Sequence, residues 1–338
     1  RRAMGKKDVK KMELERKKFI AGAKQHNDIG EKLANTIFDK INAFVMLIIS
    51  AIAAVVMPYG MGQKGLAGPE GKEHLFYAAF ILAMTGLLGI CITGDAFNVF
   101  VFLEVTSLSS YALVAMGDGR QAPKAAFNYL VMGTIGGTFI LLGIGFLLAL
   151  TGTLNMVDIA NQLPAVVNTH TGVIAFGFLF VGTAIKLAMF PLYQWLPNAY
   201  TYAPSKVSAF LSATATKVSY YVLLRMIFTL FGAAFVFRDL GIHVVLLPLS
   251  VVAMFVGSIA AIYQTNIKRL LAYSSIAQIG YMTLGLSLVN INGLTGGIAH
   301  LFNHALMKCG LFLAVGCIVL RVGSANISDM KGLMQRMP

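Results

Sequence analysis

Charge is scarce in this sequence. Only 12% of its 338 residues are Asp, Glu, Lys or Arg, half the roughly 25% of a soluble domain, while 57% are hydrophobic. Such a chain is an integral membrane protein. Cysteine is rarer still: Cys91, Cys309 and Cys317 all lie in apolar runs and form no CxxC pair. That pattern excludes a disulfide framework and a zinc or iron–sulfur site. The formal charge of +13 is uneven, with eleven Lys or Arg within residues 1–38 and most others in short gaps between apolar runs. Nucleic-acid binding needs a continuous basic face, which this distribution does not offer. No signal peptide is expected, because the polar opening runs to Phe38.

What is present is a series of apolar runs, each near the roughly 20 residues a helical span needs. They predict spans at 38–59, 74–94, 96–116, 124–150, 171–199, 204–231, 241–262, 268–289 and 294–321. The basic segment 1–37 precedes them and is read as a solvated arm, with residues 8–25 able to form a charged surface helix. If the spans alternate, one side collects Lys64, Lys72, Arg120, Lys124, Lys206, Lys268, Arg269, Arg321, Lys331 and Arg336, the other only Arg238. The basic side should face the cytoplasm, which places the protein in the cell's inner (cytoplasmic) membrane. The same alternation puts the basic N-terminal segment outside, so either an apolar segment is miscounted or, as the preferred reading, this N-terminus is not the natural start.

The stretch Gly182–Arg225 concentrates the unusual chemistry. Lys186 and Lys217 sit inside apolar helical sequence, and Pro191, Pro197 and Pro204 lie between them. Proline removes a backbone donor and clashes with the preceding turn, so the fifth span should be a broken helix. Broken helices and mid-membrane charges persist mainly where they line an ion or substrate path. The alternative is that both lysines snorkel to the surface and the prolines mark an ordinary loop. Of fourteen acidic residues only Glu104 falls mid-span, with Ser107 and Tyr111 on its helix face. A carboxylate there is either protonated or paired with a cation, and Lys186 is the obvious partner. Arg225 and His243 read as anchors near span ends.

Further polar groups follow. His300, His304 and Lys308 recur at i, i+4 and i+8, one polar stripe on a greasy helix. Histidine exchanges protons readily near neutrality. Ser274 and Gln278, also four apart, either glue helices together or hold water for proton hopping. A GxxxG from Gly133 to Gly137 reads as helix packing.

Four stretches, GDAFNVFVFLEVTSLSSYALVA, KLAMFPLYQWLPNAYTYAPSKVSAFLSATATKV, IYQTNIKRLLAYSSIAQIGYM and HLFNHALMKCGLFLAVG, resemble the antiporter-like proton-translocating subunits of respiratory complex I (its subunits L, M and N), membrane-bound hydrogenases and Mrp-type cation/proton antiporters, most of all the D-type subunit of the Mrp antiporters. The likeness runs from Phe38 to Pro338. It implies an all-α, polytopic helix bundle with inverted five-helix repeats and a proline-broken transmembrane helix. Residues 38–73 would be a first span and loop, 74–232 a complete first repeat, and 233–338 part of a second, with a terminal proton-transfer group beyond it. Residues 1–37 match nothing in the family.

By motif position, the resemblance implies Glu104 and Lys186 as the ion pair, Lys217 as the central relay, and His300, His304 and Lys308 as its continuation, supported by Ser274, Gln278, Pro191 and Pro197. It implies no cofactor and no metal. Its partners would be other membrane subunits, the bilayer, and protons, with sodium a second candidate ion. No redox or hydrolytic site of its own is expected, although a parent NADH-quinone oxidoreductase would make the chain a translocase subunit. Two rival classes fit worse. A haem enzyme needs histidines facing each other across helices, and His300 and His304 share one. An intramembrane hydrolase needs a membrane-centred Asp, and none occurs.

Overall fold

The computed structural model describes residues 40–59 and 71–337. The chain divides into two units, residues 1–43 and 44–338. Of the first, only the helical residues 40–43 are described, so the expected basic arm and its surface helix lie outside the described residues. The helices, in chain order, are α1 (Lys40–Val56), α2 (Glu73–Ile92), α3 (Ala96–Ala115), α4 (Gln121–Thr151), α5 (Met156–Gln162), α6 (His170–Leu187), α7 (Trp195–Tyr202), α8 (Ser205–Leu224), α9 (Ile242–Ile262), α10 (Ile267–Ser287), α11 (Ile291–Val322) and α12 (Leu333–Arg336). Beyond α8 the chain continues as a wider π-helix over Arg225–Phe231, and again over Ala234–Asp239. Among the described residues there is no strand, only two isolated bridges.

Among the described residues, seven helices are long and apolar enough to cross a membrane: α2, α3, α4, α6, α8 with its extension to Phe231, α9 and α11. Two of the nine expected spans differ. The helix over Lys40–Val56 is shorter, and α10 carries Lys268, Arg269, Ser274, Ser275 and Gln278, which lower its hydropathy. Still, α10 packs between α9 and α11 as one more rod of the bundle. The expected fifth span is interrupted, ending as α6 and resuming as the short α7. Large side chains left exposed on α2, α4, α9 and α11, such as Leu82, Phe127, Phe255 and Leu311, give these helices the apolar outer face a bilayer requires. At the centre stands α8, buried along nearly its whole length.

Two lysines counted as loop charges are buried. Lys206, in the first turn of α8, is fully enclosed, with Nζ 3.3 Å from Tyr77 Oη and 5.2 Å from that ring's centre. Lys268 is 7% exposed and donates to the Ala203 carbonyl at 3.2 Å. Both lie at helix starts, where the neighbouring helix end folds over them.

One junction occurs twice. Ala96 N–H donates to Leu154 O, and Met156 N–H to Gly94 O, each at 2.9 Å, bridging Asp95 to Asn155. Ile267 N–H donates to Ala325 O, and Ile327 N–H to Thr265 O, again at 2.9 Å, bridging Asn266 to Asn326. Every residue of the second set lies 171 positions after its counterpart. The same step relates the N-caps Asp95 and Asn266, which accept from Asn98 N–H and Arg269 N–H. It also relates the left-handed C-cap glycines Gly152 and Gly323, where only glycine is unstrained. Gly86 presses on Phe102 and Thr106, and Gly257 on Tyr273 and Ala277. The step thus holds from the middle of one helix pair to the end of the third helix. Spans α3, α4, α6, α8 and α9 lie between the two bridges, so alternation carries the second junction to the opposite end of the bundle.

Candidate functional site

The break between α6 and α7 positions the first group. α6 ends at Ala188, whose φ of 58° turns the chain into the left-handed region. Such an ending frees carbonyls that hydrocarbon cannot satisfy. Here they are answered internally: Met189 N–H donates to Ala184 O at 2.9 Å, and Trp195 Nε1 donates to Ile185 O at 2.9 Å. Pro191 lies within the break. Pro197, also expected to break a helix, is instead the third residue of α7, where a missing N–H costs nothing. The Trp195 indole lies flat on Tyr129 at 4.2 Å, and Tyr129 packs edgewise on Tyr111 at 4.6 Å.

Lys186 occupies the last turn of α6, where the helix dipole favours a cation. Its Nζ donates to Glu104 Oε1 at 2.9 Å and to Ser107 Oγ at 2.7 Å. The lysine side chain is 6% exposed and the glutamate 24%. Ser107 meets Lys186 because it lies one turn from Glu104 on α3. Tyr111, a turn further, reaches Gly133 rather than the ammonium.

Lys217 lies mid-α8, almost fully buried. Its Nζ donates to the Ser212 carbonyl and approaches Thr216 Oγ1 at 3.4 Å. No carboxylate lies within salt-bridge distance among the described residues. Three groups from α11 lie within its electrostatic reach: His300, His304 and Lys308. The His300 and His304 rings stack at 6.1 Å. His304 is fully buried, and neither of its ring nitrogens has a hydrogen-bond partner among the described residues. Lys308 Nζ donates to Ser274 Oγ at 2.6 Å and to Leu271 O at 2.7 Å, tying α11 to α10. Gln278 is half-buried and makes no side-chain hydrogen bond among the described residues. The expected Ser274–Gln278 pair therefore divides: the serine joins Lys308, the glutamine stands apart. No cluster of His, Cys, Asp and Glu suited to a metal occurs among the described residues.

Residues 93–338 match the model of the family described as NADH:quinone oxidoreductase/Mrp antiporter, TM. The chain belongs to this family. A relative named NADH-quinone oxidoreductase subunit N, from Desulforudis audaxviator, is 42% identical over 308 residues, covering 87% of this chain and 60% of the relative. A second relative, named as the D-type subunit of a Na(+)/H(+) antiporter, from Alkalihalophilus pseudofirmus, is 32% identical over 298 residues, covering 88% and 59%. Of these two, identity is higher to the oxidoreductase relative. The chain spans about three-fifths of the length of these relatives. A solved structure of the membrane-bound sulfane sulfur reductase, an archaeal respiratory membrane complex, superposes with a TM-score of 0.79 at 30% identity, covering 88% of this chain and 60% of that one. The Mrp complex from Dietzia sp. DQ12-45-1b gives 0.70 at 28%, covering 85% and 51%.

Within this family fold, the site has parts that sequence reading assigned otherwise. Gly133 and Gly137 were expected to pack helix on helix. They face the site instead: a methyl at 133 would strike Tyr111 Oη, and one at 137 would strike the Glu104 carboxylate. Gly136, one residue away on another face, is the true packing glycine, set against Gly182 and Ile185 of α6. Arg225, read as an end anchor, is buried, donates from Nη1 to Thr93 O at 2.9 Å and lies 5.8 Å from the Tyr221 ring. The wide turn after α8 keeps it inside the bundle. The repeated junction had a faint signal in GTLN at 152–155 and GSAN at 323–326.

Proposed function

We propose that this chain is a proton-translocating, or monovalent cation/proton-translocating, membrane subunit of a multisubunit antiporter or respiratory complex. The observation that carries the reading is the Glu104–Lys186 ion pair at a helix break, followed by Lys217, His304 and Lys308 with no second acid paired to them among the described residues. A proton on one of several close basic groups disfavours protons on its neighbours, which is the coupling a relay needs. Lys186 held by Glu104 presents little net charge to Lys217. Lys186 released from Glu104 presents a full one, and drives a proton on Lys217 toward α11. The unpartnered nitrogens of His304 would hand that proton on through ordered water. The relatives' names and the two solved complexes support assembly with other membrane subunits, and make sodium a second candidate ion.

Residues 74–232 would form one five-helix repeat and 233–338 part of its inverted copy, a division supported by the junction that recurs at 171 residues. The bacterial relatives suit an inner-membrane location, and the unequal distribution of basic loops suits a cytoplasmic basic side. The test is proton transport by the assembled complex in proteoliposomes. Lys186→Ala should abolish it with assembly intact; transport at the wild-type rate would refute the reading.

A further inference from the structure

Gly137 and its counterpart 171 residues on are opposite in kind. Across the α3–α4 seam, α3 supplies the large polar group, Glu104, and α4 supplies Gly133 and Gly137. Across the α10–α11 seam the assignment is reversed. The positions equivalent to Gly133 and Gly137 are His304 and Lys308, while the position equivalent to Glu104 is Ser275. Lys308 reaches across to Leu271 and Ser274. At Glu104 and at Lys308 alike, one helix of the seam supplies a long polar side chain and the other a small residue beside it, Gly137 or Ser274.

We propose that Gly137 is a positioning residue that holds the Glu104 carboxylate against Lys186. A Cβ built at 137 collides with Glu104 Oε1 and lies 3.0 Å from the carboxyl carbon, and its three nearest neighbours are all atoms of that carboxylate. The collision involves the free end of a side chain, not backbone. It is relieved by rotating Glu104, so the cost falls on the ion pair rather than on helix packing. At Gly136 the same methyl would meet Gly182 backbone at 3.2 Å, and there the helices themselves must give. Gly145, on the same helix, has nothing within 4 Å.

The transport part of this inference rests on the translocation reading above; the geometric part does not. In the assembled complex, Glu104 labelling by dicyclohexylcarbodiimide is followed by mass spectrometry in wild type, Gly137→Ala and Gly145→Ala. A carboxylate freed from its ammonium reacts faster, so Gly137→Ala should label at least threefold faster, with Gly145→Ala unchanged. Transport should fall about tenfold and lose the wild-type shape of its pH profile, as in Glu104→Gln. Unchanged labelling in an assembled Gly137→Ala complex overturns the proposal. If Gly137→Ala does not assemble, the double variant with Glu104→Asp decides: the shorter side chain withdraws from the methyl, so recovered assembly supports the proposal and persistent loss overturns it. Wild-type transport by both Glu104→Gln and Lys186→Ala would sink the translocation reading while leaving the labelling result to judge Gly137.

Discussion

Trp195 Nε1 donates to the carbonyl of Ile185 at 2.9 Å, spanning the gap between α6 and α7. The indole shares this carbonyl with Ala188 N–H, 3.1 Å from the oxygen, and so ties the start of α7 to the end of α6 at the residue before Lys186. Trp195→Phe keeps the stack on Tyr129 but loses the donor. It should lower stability by about 0.5–1.5 kcal/mol, the net worth of one intramolecular hydrogen bond, because Ala188 N–H still donates to the same carbonyl. The midpoint of denaturant unfolding of the purified complex checks this; an unchanged midpoint would show that the Ala188 N–H alone satisfies the carbonyl.

Ser274 and Gln278 are separable. Ser274→Ala leaves Lys308 with only the Leu271 carbonyl, and transport should fall three- to tenfold, in line with the loss of a hydrogen bond to a charged group, about 1.5–3 kcal/mol and discounted for partial exposure. Gln278→Ala should transport within twofold of wild type. The opposite ranking would mean that the route runs along Gln278.

The recurring junction predicts paired costs. Asp95→Ala and Asn266→Ala each remove an N-cap acceptor, from Asn98 N–H and Arg269 N–H respectively. Each should cost about 1 kcal/mol, and Asp95→Asn should be nearly neutral. Equilibrium unfolding of the single variants measures it. A large cost at one site with none at the other would argue against equivalent roles.

Arg225 is buried beside the chain leaving α2, far along α8 from the lysine axis. Arg225→Met should cost about 1–3 kcal/mol by orphaning Thr93 O, and should leave the pH profile of transport unaltered. A shifted profile would draw Arg225 into the proton path.

Much of the architecture was legible in the sequence because it follows from local chemistry. Apolar runs of span length must become helices in lipid, since no water is there to satisfy the backbone. The break in the fifth span follows from Pro191, although the helix ends three residues earlier at Ala188. That Glu104 is the one acid inside a span could be read directly, and it narrowed the partners of Lys186 to one. The burial of Lys206 and Lys268 could not be read. A lysine at a helix start looks like a loop charge until the neighbouring helix end is known to fold over it.

By itself, then, the sequence determined the helices, the break, and which titratable groups lie inside the spans, because spacing along a helix and the cost of charge in hydrocarbon are local facts. Only the tertiary structure decided the meetings across helices. It set Gly133 and Gly137 against Tyr111 and Glu104, joined Lys308 to Ser274 and left Gln278 aside. It also showed one junction built twice, 171 residues apart. Those relations depend on how helix faces rotate and interlock over long chain separations, and on backbone bonds that many different side chains can accompany.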